Sequence, residues 1–401
     1  MISSLVRGRV LLGMALGVLC AGQGMAASEQ AERHVVAEDR LSNLFKGARA
    51  IAFAELDGWA EDDHVAALRV LQDHCKHRFE GVAASAAEKV CPFLAASQQD
   101  SSARQFFEDH FIAIEISSEG FLTGYFEPEL PASRQPTKEF AVPLLGPPEG
   151  LVSIQDGNRP VDWPDRQTHG RATPAGIIEL PDRGAIMDGA LSGQGLELVW
   201  LKNPIDAFFV HVQGSARLRL TNGSVMRVGY AGKTGHPYTS IARVLVKSGA
   251  GTPEQFTMSG LRDWLEANPD ESDALMRENR SYIFFREIEI ESEANGPVGS
   301  AGVSLTAMRS LAVDPDHIPL GLPVFVQSDA PVLRREGKPF QRLMIAEDTG
   351  SAIKGPARGD VFVGSGEEAG ETAGEIRHSG QFVVLVPKDA LATGDEPGAL
   401  R

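Results

Sequence analysis

The stretch from residue 346 to residue 366 constrains the fold of this chain more than any other. One apolar run, 343–346, ends shortly before Asp348, a second begins after Asp360, and three glycines and a proline stand between the two aspartates. Short apolar runs separated by Gly and Pro are typical of strands joined by a loop. The pattern therefore predicts a strand, a loop and a second strand, with one carboxylate at the loop end of each strand.

Both aspartates are candidate acids. Apolar neighbours raise the pKa of a carboxyl group by desolvation, whereas cations such as Lys354 and Arg358 lower it. A carboxyl group under both influences in a cleft can release and recover a proton near neutral pH. The alternative on residue types alone is structural: both side chains bind loop amides, and Asp348 binds those of Gly350 and Ser351.

Composition limits the kind of protein. The 401 residues are enough for two domains, or for one domain with a large insertion, and the 42 Gly and 24 Pro suit many short strands and turns. A formal net charge of -16 opposes binding to nucleic acid or to an anionic membrane surface. A carbohydrate substrate is compatible with this charge.

Residues 1–27 are predicted to be an export signal. Arg7 and Arg9 precede an apolar run, and small residues then lead to Ala26. We expect cleavage after Ala26 and a soluble periplasmic product that begins near Ala27. The alternative is a lipoprotein held at the outer membrane through Cys20, but the residues before Cys20 lack the small one usual beside a lipidated cysteine.

Cys75 and Cys91 are predicted to form a structural disulfide, because paired cysteines in an exported chain are more often bridges than sites. Two cysteines are too few for a structural zinc site. No His, Cys or carboxylate cluster has metal-ligand spacing. We therefore expect no metal and no other cofactor.

The N-terminal hundred residues are predicted to be mostly helical and the rest mostly strands. Helices are expected at 61–79, 101–109, 240–247, near 261 and from 268. Strands are expected at 111–116, 120–126, 196–201, 207–212, 282–285, 322–326, 343–346, 360–363 and 382–386. Asn222 and Gly223 between two alternating runs predict a hairpin with a two-residue turn. Residues 146–176 lack any period and are predicted to form a long surface loop.

Five motifs in this order resemble the lytic murein transglycosylase A family. They are Thr-Gly-Tyr-Phe-Glu-Pro at 123–128, Val-Gln-Gly-Ser at 212–215, Tyr-Ala-Gly-Lys-Thr-Gly-His-Pro-Tyr at 230–238, Asp-Pro-Asp-His-Ile-Pro-Leu-Gly at 314–321, and the 346–366 stretch. The likeness extends from about residue 110 to 386 and is weaker in the helical N-terminal segment and at 146–176. The last two motifs belong to the 3D domain, named after three aspartates that correspond here to Asp314, Asp348 and Asp360.

The resemblance implies a fold class and an activity. The fold is mainly β with a helical N-terminal segment: a double-psi β-barrel of residues 28–127 and 287–401 carries a second β-domain, inserted at 128–286, with a groove between the two. Family members cut the β-1,4 bond between N-acetylmuramic acid and N-acetylglucosamine in peptidoglycan and leave a 1,6-anhydro sugar. The implied partners are peptidoglycan glycan strands, with cell-wall synthesis or division complexes as candidate protein partners of a monomer.

The resemblance also implies roles for individual residues. The family's catalytic acid corresponds to Asp360. Asp348 would support it by orienting donors or by like-charge repulsion that keeps Asp360 protonated. The residues expected to bind the glycan are Thr123, Gly124, Tyr125, Gln213, Gly214, Ser215, Lys233, His236, Tyr238 and Asp314.

One acid suffices for this reaction because the sugar supplies its own nucleophile. Ordinary glycosidases need two carboxylates, one as acid and one as nucleophile or base. Here the C6 hydroxyl of the sugar is already held near C1, so its attack has a large effective concentration. The carboxyl group that protonates the leaving oxygen can then take the proton of the C6 hydroxyl.

Two other functions are compatible with parts of the sequence. Asp348-Thr349-Gly350 resembles the signature of aspartic proteases, but that chemistry needs two such aspartates and the chain has no second copy. A double-psi barrel can also bind wall polysaccharide without cutting it. Purified sacculi distinguish the three functions, which would give anhydro-sugar release, peptide cleavage, or retention without release.

Overall fold

The computed structural model describes residues 48–76, 91–92, 94, 102–116, 119–155, 157–164, 167–289 and 296–388. The predicted export signal, its cleavage site and Cys20 lie outside these residues. Within them, no helix has both the length and the apolar character needed to cross a membrane.

The described residues form seventeen strands and eight α-helices in three successive groups. The first group is β1 (Arg49–Ile51), α1 (His64–Lys76), α2 (Ala103–His110), β2 (Phe111–Glu115) and β3 (Gly120–Glu127). The second is β4 (Glu129–Ala132), β5 (Val142–Leu145), β6 (Leu151–Ser153), β7 (His169–Thr173), β8 (Gly176–Ile178), α3 (Arg183–Met187), β9 (Glu197–Leu201), α4 (Pro204–Gln213), β10 (Ser215–Leu220), β11 (Val225–Lys233), α5 (Ile241–Ser248), α6 (Met258–Ala267), α7 (Pro269–Glu278) and β12 (Ile283–Ile288). The third is β13 (Ser310–Val313), β14 (Pro323–Ser328), β15 (Phe340–Thr349), β16 (Arg358–Ser365), α8 (Glu367–Glu375) and β17 (Arg377–Pro387).

Six strands from the first and third groups close into a barrel. Their order is β17, β14, β15, β13, β16 and β3, and β3 pairs again with β17. The second half of β17 also pairs with β2, which carries β1. The barrel interior and the helices α1 and α2 share one apolar core, in which the ring of Trp59 packs 5.4 Å from that of Phe325.

The second group forms a separate β-domain. Its main sheet has the order β12, β11, β10 and β4, and two small sheets, β5–β9 and β6–β7–β8, flank it. The chain leaves the barrel at Pro128, between β3 and β4, and returns after β12. The expected fold class, a mainly β protein in which a β-barrel carries an inserted β-domain, is confirmed.

The strand predicted at 207–212 is wrong, because these residues belong to helix α4. Asn203 accepts a hydrogen bond from the amide of Asp206, Pro204 occupies the first turn, and Gly214 ends the helix with φ +80°. These are strong start and stop signals for a helix. The helix is buried at five consecutive residues, 207–211, so its sequence resembles an apolar strand rather than an amphipathic helix.

Two loop predictions are also corrected. The hairpin between β10 and β11 exists, but its loop has three residues, because the amide of Leu220 donates to the carbonyl of Ser224 at 2.8 Å. Gly223, with φ +86°, supplies the left-handed residue that such a loop needs. Residues 146–176 are not a structureless loop: strands β6 and β7 lie within them, and β8 pairs with β7.

A buried ion pair fastens the inserted domain to the barrel. Glu127 ends β3, is fully buried, and lies 2.7 Å from Nε of Arg227 on β11. The hydroxyl of Ser365, at the end of β16, also donates to Glu127 at 2.8 Å. Removing one partner of such a pair leaves an uncompensated charge in a low-dielectric interior.

The structure joins Cys75, near the end of α1, to Cys91, with their Cα atoms 5.4 Å apart. We predict that this bond persists in the purified mature protein, so thiol titration of the denatured, unreduced chain should find no free thiol. The Cys75→Ser, Cys91→Ser double variant should lose about 3 kcal/mol of unfolding free energy, by the chain-entropy model for a loop of this size. Two reactive thiols in the parent protein would contradict the prediction.

Arg227→Met should lower the free energy of unfolding by ~3–5 kcal/mol, because it leaves Glu127 buried without its main cation. The matched control is Arg219→Met on β10, since Arg219 pairs with Glu129 but its side chain is 65% exposed. That change should lower it by less than ~1 kcal/mol. Urea unfolding of both variants measures the difference. Equal decreases in the free energy of unfolding would show that the buried ion pair stabilises the protein no more than the exposed one.

Candidate active site

Parallel pairing of β16 with β3 builds the site. Asp360 lies opposite Thr123, and Phe362 lies opposite Tyr125. Side chains alternate between the two faces of a strand, so these four share one face. Leu122, on the other face of β3, is fully buried in the barrel core. The shared face is therefore the outer wall of the barrel.

Asp360 is held by a hydroxyl group and acted on by a cation. The hydroxyl of Thr123 donates to its Oδ1 at 2.5 Å, and Nη2 of Arg358 donates to the same hydroxyl oxygen at 2.7 Å. Burial raises the pKa of Asp360 to about 6, against the opposing effects of the Arg358 charge and the Thr123 hydrogen bond. Asp348 adds a smaller upward effect. Asp360 is thus a carboxyl group that can exchange a proton near neutral pH.

Asp348 lies in the same site but has different partners. It accepts hydrogen bonds from the hydroxyl of Tyr125 at 2.8 Å and from the amide and hydroxyl of Ser300 at 2.9 and 2.8 Å. Burial raises its pKa above the ordinary value although these bonds oppose the shift. The structural alternative in which Asp348 binds the amides of Gly350 and Ser351 is wrong, because its donors are Tyr125 and Ser300. Ser300 lies in a turn next to β15. The turn is attached to this strand by a hydrogen bond from the amide of Ala301 to the carbonyl of Glu347.

Tyr125 lies between Asp348 and Asp360. Its ring packs 5.4 Å from that of Phe362, and its hydroxyl is engaged by Asp348. Burial and the charge of Asp348 raise the pKa of Tyr125 well above its ordinary value, so the hydroxyl keeps its proton. Gly124, between the two motif side chains, is closely packed: a Cβ there would lie 2.6 Å from the end of the Ile376 side chain and 3.0 Å from the backbone of Ala373.

Asp314, the third aspartate of the motif set, holds the loop between the other two. It is buried, and it accepts hydrogen bonds from the amide of Gly355 at 2.8 Å and from Nζ of Lys354 at 3.1 Å. Burial alone would raise the pKa of Asp314, but these bonds and the Lys354 charge hold it below the ordinary value. Asp314 is therefore an ionised clamp on the loop.

The inserted domain reaches the site at two points. Gln213, at the end of α4, accepts a hydrogen bond from the amide of Phe126 at 3.1 Å. Lys233, at the end of β11, donates to the hydroxyl of Ser351 at 3.2 Å, and so spans from the inserted domain to the barrel loop. Gly214 and Ser215 follow Gln213, and Ser215 is buried as the first residue of β10.

His236 and Tyr238 lie elsewhere in the inserted domain. The side chain of His236 is buried and contacts the carbonyl of Leu180 at 2.8 Å. Tyr238 is 37% exposed and lies within electrostatic reach of Arg183 and Arg243. The structure does not bring either residue into contact with the aspartates.

Sequence reasoning missed two contributors to the site. Ser300 belongs to a Gly-rich turn with no distinctive local pattern, and only the folded chain shows that it caps Asp348. Arg358 was recognised as a nearby charge, but its contact with Thr123 depends on the register of β16 on β3. That register is a long-range property.

Within the described residues, no group of three or more His, Cys, Asp or Glu side chains could hold a metal ion. A cavity of about 370 Å³ lies in the inserted domain, among helices α3, α4 and α7, with Arg183, His211 and Tyr282 in its wall. None of the aspartates described above lines it.

Comparison with known proteins gives consistent matches. Residues 121–286 match the family model described as the MltA specific insert domain, and residues 309–386 match that of the 3D domain. The membrane-bound lytic murein transglycosylase A of Vibrio cholerae is 34% identical over 267 residues, which span 65% of this chain and 63% of that protein. The chain thus spans under two thirds of the length of this curated relative.

Solved structures align over more of the fold. A crystal structure of a membrane-bound lytic murein transglycosylase from Agrobacterium tumefaciens is 40% identical, with a TM-score of 0.78 over 86% of this chain and 99% of that one. A structure of E. coli MltA with bound chitohexaose is 25% identical, with a TM-score of 0.63 over 85% of this chain and 95% of that one. Both family models match this chain, and the Agrobacterium structure is 40% identical and matched over 99% of its length, so the chain belongs to the membrane-bound lytic murein transglycosylase A family.

Proposed function

We propose that this protein is a lytic transglycosylase that cuts the β-1,4 bond between N-acetylmuramic acid and N-acetylglucosamine in peptidoglycan glycan strands. The observation that carries the proposal is the carboxyl group of Asp360, whose pKa is raised to about 6 on the outer wall of the barrel. The relatives named as lytic murein transglycosylases support it. So does the bound chitohexaose of the E. coli structure, because it is a chain of β-1,4-linked sugars.

The reaction needs a single proton carrier. Protonated Asp360 donates to the glycosidic oxygen as the bond from that oxygen to C1 breaks. The C6 hydroxyl oxygen of the same muramic acid forms the new bond to C1, and its proton passes to the Asp360 carboxylate. The products are a 1,6-anhydro end and a free 4-hydroxyl, no water is consumed, and Asp360 is protonated again.

Asp348 acts in this scheme by position and charge. Three hydrogen bonds from Ser300 and Tyr125 occupy its oxygens, which leaves it poorly suited to act as a second proton carrier. Its charge raises the pKa of Asp360. We propose that it fixes Tyr125 beside Asp360 and helps to keep Asp360 protonated until the glycosidic bond breaks.

The same contacts disfavour an aspartic protease. That chemistry needs two equivalent carboxyl groups sharing one proton. Asp348 is held by Tyr125 and Ser300, whereas Asp360 is held by Thr123, so the two environments are not equivalent.

We further propose that the protein works outside the cytoplasm as a monomer on glycan strands. The predicted export signal at residues 1–27 supports the location. The relatives' names include the term membrane-bound, which supports the alternative in which Cys20 is retained and carries a lipid anchor.

The first prediction of this proposal concerns Asp360→Asn, which keeps the shape of the side chain and removes its exchangeable proton. Release of anhydro-muropeptides from purified sacculi, measured by chromatography, should fall at least ~100- to 10,000-fold, because one residue serves both proton transfers. The matched control is Asp329→Asn, since Asp329 has a side chain that is 88% exposed in a barrel loop. It should keep parental activity.

Folding of Asp360→Asn has its own readout. A carboxyl group whose pKa is raised in the folded state destabilises the protein as pH rises from its unfolded pKa toward the folded value of about 6. The Asn variant should therefore be more stable than the parent at pH 8, with the difference shrinking toward pH 4. Abundant anhydro-product from this folded variant would overturn the assignment of Asp360.

The pH dependence of the parent enzyme gives the second prediction. Free enzyme must hold the proton on Asp360, so kcat/KM should be high below pH 6 and fall above it, about tenfold per pH unit. Initial rates on solubilised glycan strands between pH 4.5 and 8 measure this limb. A rate that rises through pH 6 would show that the ionised form of the site starts the reaction, contrary to the proposed order of steps.

A further inference from the structure

The hydroxyl of Thr123 stands between a guanidinium group and the candidate acid. Its Oγ1 is 2.7 Å from Nη2 of Arg358 and 2.5 Å from Oδ1 of Asp360. A guanidinium group can only donate hydrogen bonds. The Thr123 oxygen must therefore accept from Arg358, and its single hydrogen is directed to Asp360. The direction of this two-bond chain is fixed by the chemistry of its first member.

We propose that Arg358, acting through Thr123, is a positioning residue that decides which oxygen of Asp360 carries the transferable proton. Because Oδ1 is kept as an acceptor, the proton resides on Oδ2 and leaves from there toward the glycosidic oxygen. This inference rests on the proposed function of Asp360 as the single acid. It assigns Thr123 to the acid rather than to the glycan.

The position of Arg358 is itself well defined. Its guanidinium lies over the ring of Phe121, 5.2 Å from the centroid, and donates to the carbonyls of Phe121 and Gly359. It makes no direct ion pair with Asp360 among the contacts of the described residues. A direct pair would stabilise the carboxylate and depress the pKa of the acid. Contact through a hydroxyl orients the carboxyl group while burial still keeps its pKa at about 6.

The other strands around Asp360 supply no competing donor of this kind. On β13 the opposite residue is Ala312, and on β15 the charged neighbour is Asp348, whose effect is to raise the pKa of Asp360. Tyr125, on β3, gives its proton to Asp348. On β17, Arg377 lies opposite Thr123, but its guanidinium donates to the carbonyl of Pro253.

Helix α8 carries several glutamates, but it packs against the other face of β3. Its residue Ala373 lies where a side chain of Gly124 would point, opposite to the side of Thr123. Arg358 is therefore the one described cation among the main influences on the pKa of Asp360.

The test uses Thr123→Val, which keeps the shape of the side chain and removes the hydroxyl, and Thr123→Ser, which restores it. In Thr123→Val we expect kcat to fall about 10- to 100-fold, the scale of one hydrogen bond to a charged group. The basic limb of the kcat/KM profile should move up by about one pH unit for the same reason. KM for glycan strands should not change. Thr123→Ser should recover most of both losses.

Arg358→Met should reproduce the upward shift of the limb, because it removes the charge that lowers the pKa of Asp360. Thr173→Val, on β7 of the inserted domain, is the matched control and should match the parent in rate and in pH profile. Melting curves of each variant show that it is folded.

The outcomes separate the inference from the proposed function. Activity in folded Asp360→Asn would refute the assignment of Asp360 as the acid. It would also refute the proposed role of the hydrogen bonds from Arg358 through Thr123. An inactive Asp360→Asn, together with a Thr123→Val enzyme of parental pH profile and raised KM, would show that Thr123 binds the glycan and would overturn this inference alone. A parental KM, a shifted limb and recovery by Ser would establish it.

Discussion

The contacts of Thr123 with Asp360 and Arg358 depend on the parallel pairing of β3 with β16. These strands are more than 200 residues apart in the chain, yet their register places Thr123 beside Asp360 and Tyr125 beside Phe362. A slip of one residue would turn the motif side chains of β3 into the barrel core. The close packing of Gly124 against α8 opposes such a slip, because a larger residue there would have to displace the backbone of Ala373 or the side chain of Ile376.

The three aspartates of the site differ in their hydrogen-bond partners and in the direction of their pKa shifts. Asp314 is stabilised as a carboxylate by Lys354 and a backbone amide. Asp348 is partly buried and accepts hydrogen bonds from Tyr125 and Ser300. Asp360 has a single strong donor on one oxygen, which leaves the other oxygen for chemistry. Desolvation raises the pKa of all three carboxyl groups, and Asp360 differs from Asp314 and Asp348 in accepting fewer hydrogen bonds.

Much of this fold and site was predictable from the sequence, and the exceptions have physical causes. The pattern of short apolar runs between Gly and Pro predicted five of the six barrel strands and missed β13. The motif resemblance brought together Thr123, Tyr125, Asp348 and Asp360. Helix α4 was missed because burial on all sides removes the amphipathic period. The caps of Asp348 were missed because Ser300 reaches it through tertiary structure, which no local pattern records.

The closure of the barrel has a consequence for how the protein folds. Strand β3 finds both of its barrel neighbours, β16 and β17, only at the end of the described chain. Such long-range pairing is slow, because the loop must close before any contact compensates for the lost entropy. Until β16 and β17 are in place, an unpaired β3 presents two open edges. The contacts around Asp360 can therefore form only after the last strands of the described chain, β16 and β17, have paired with β3.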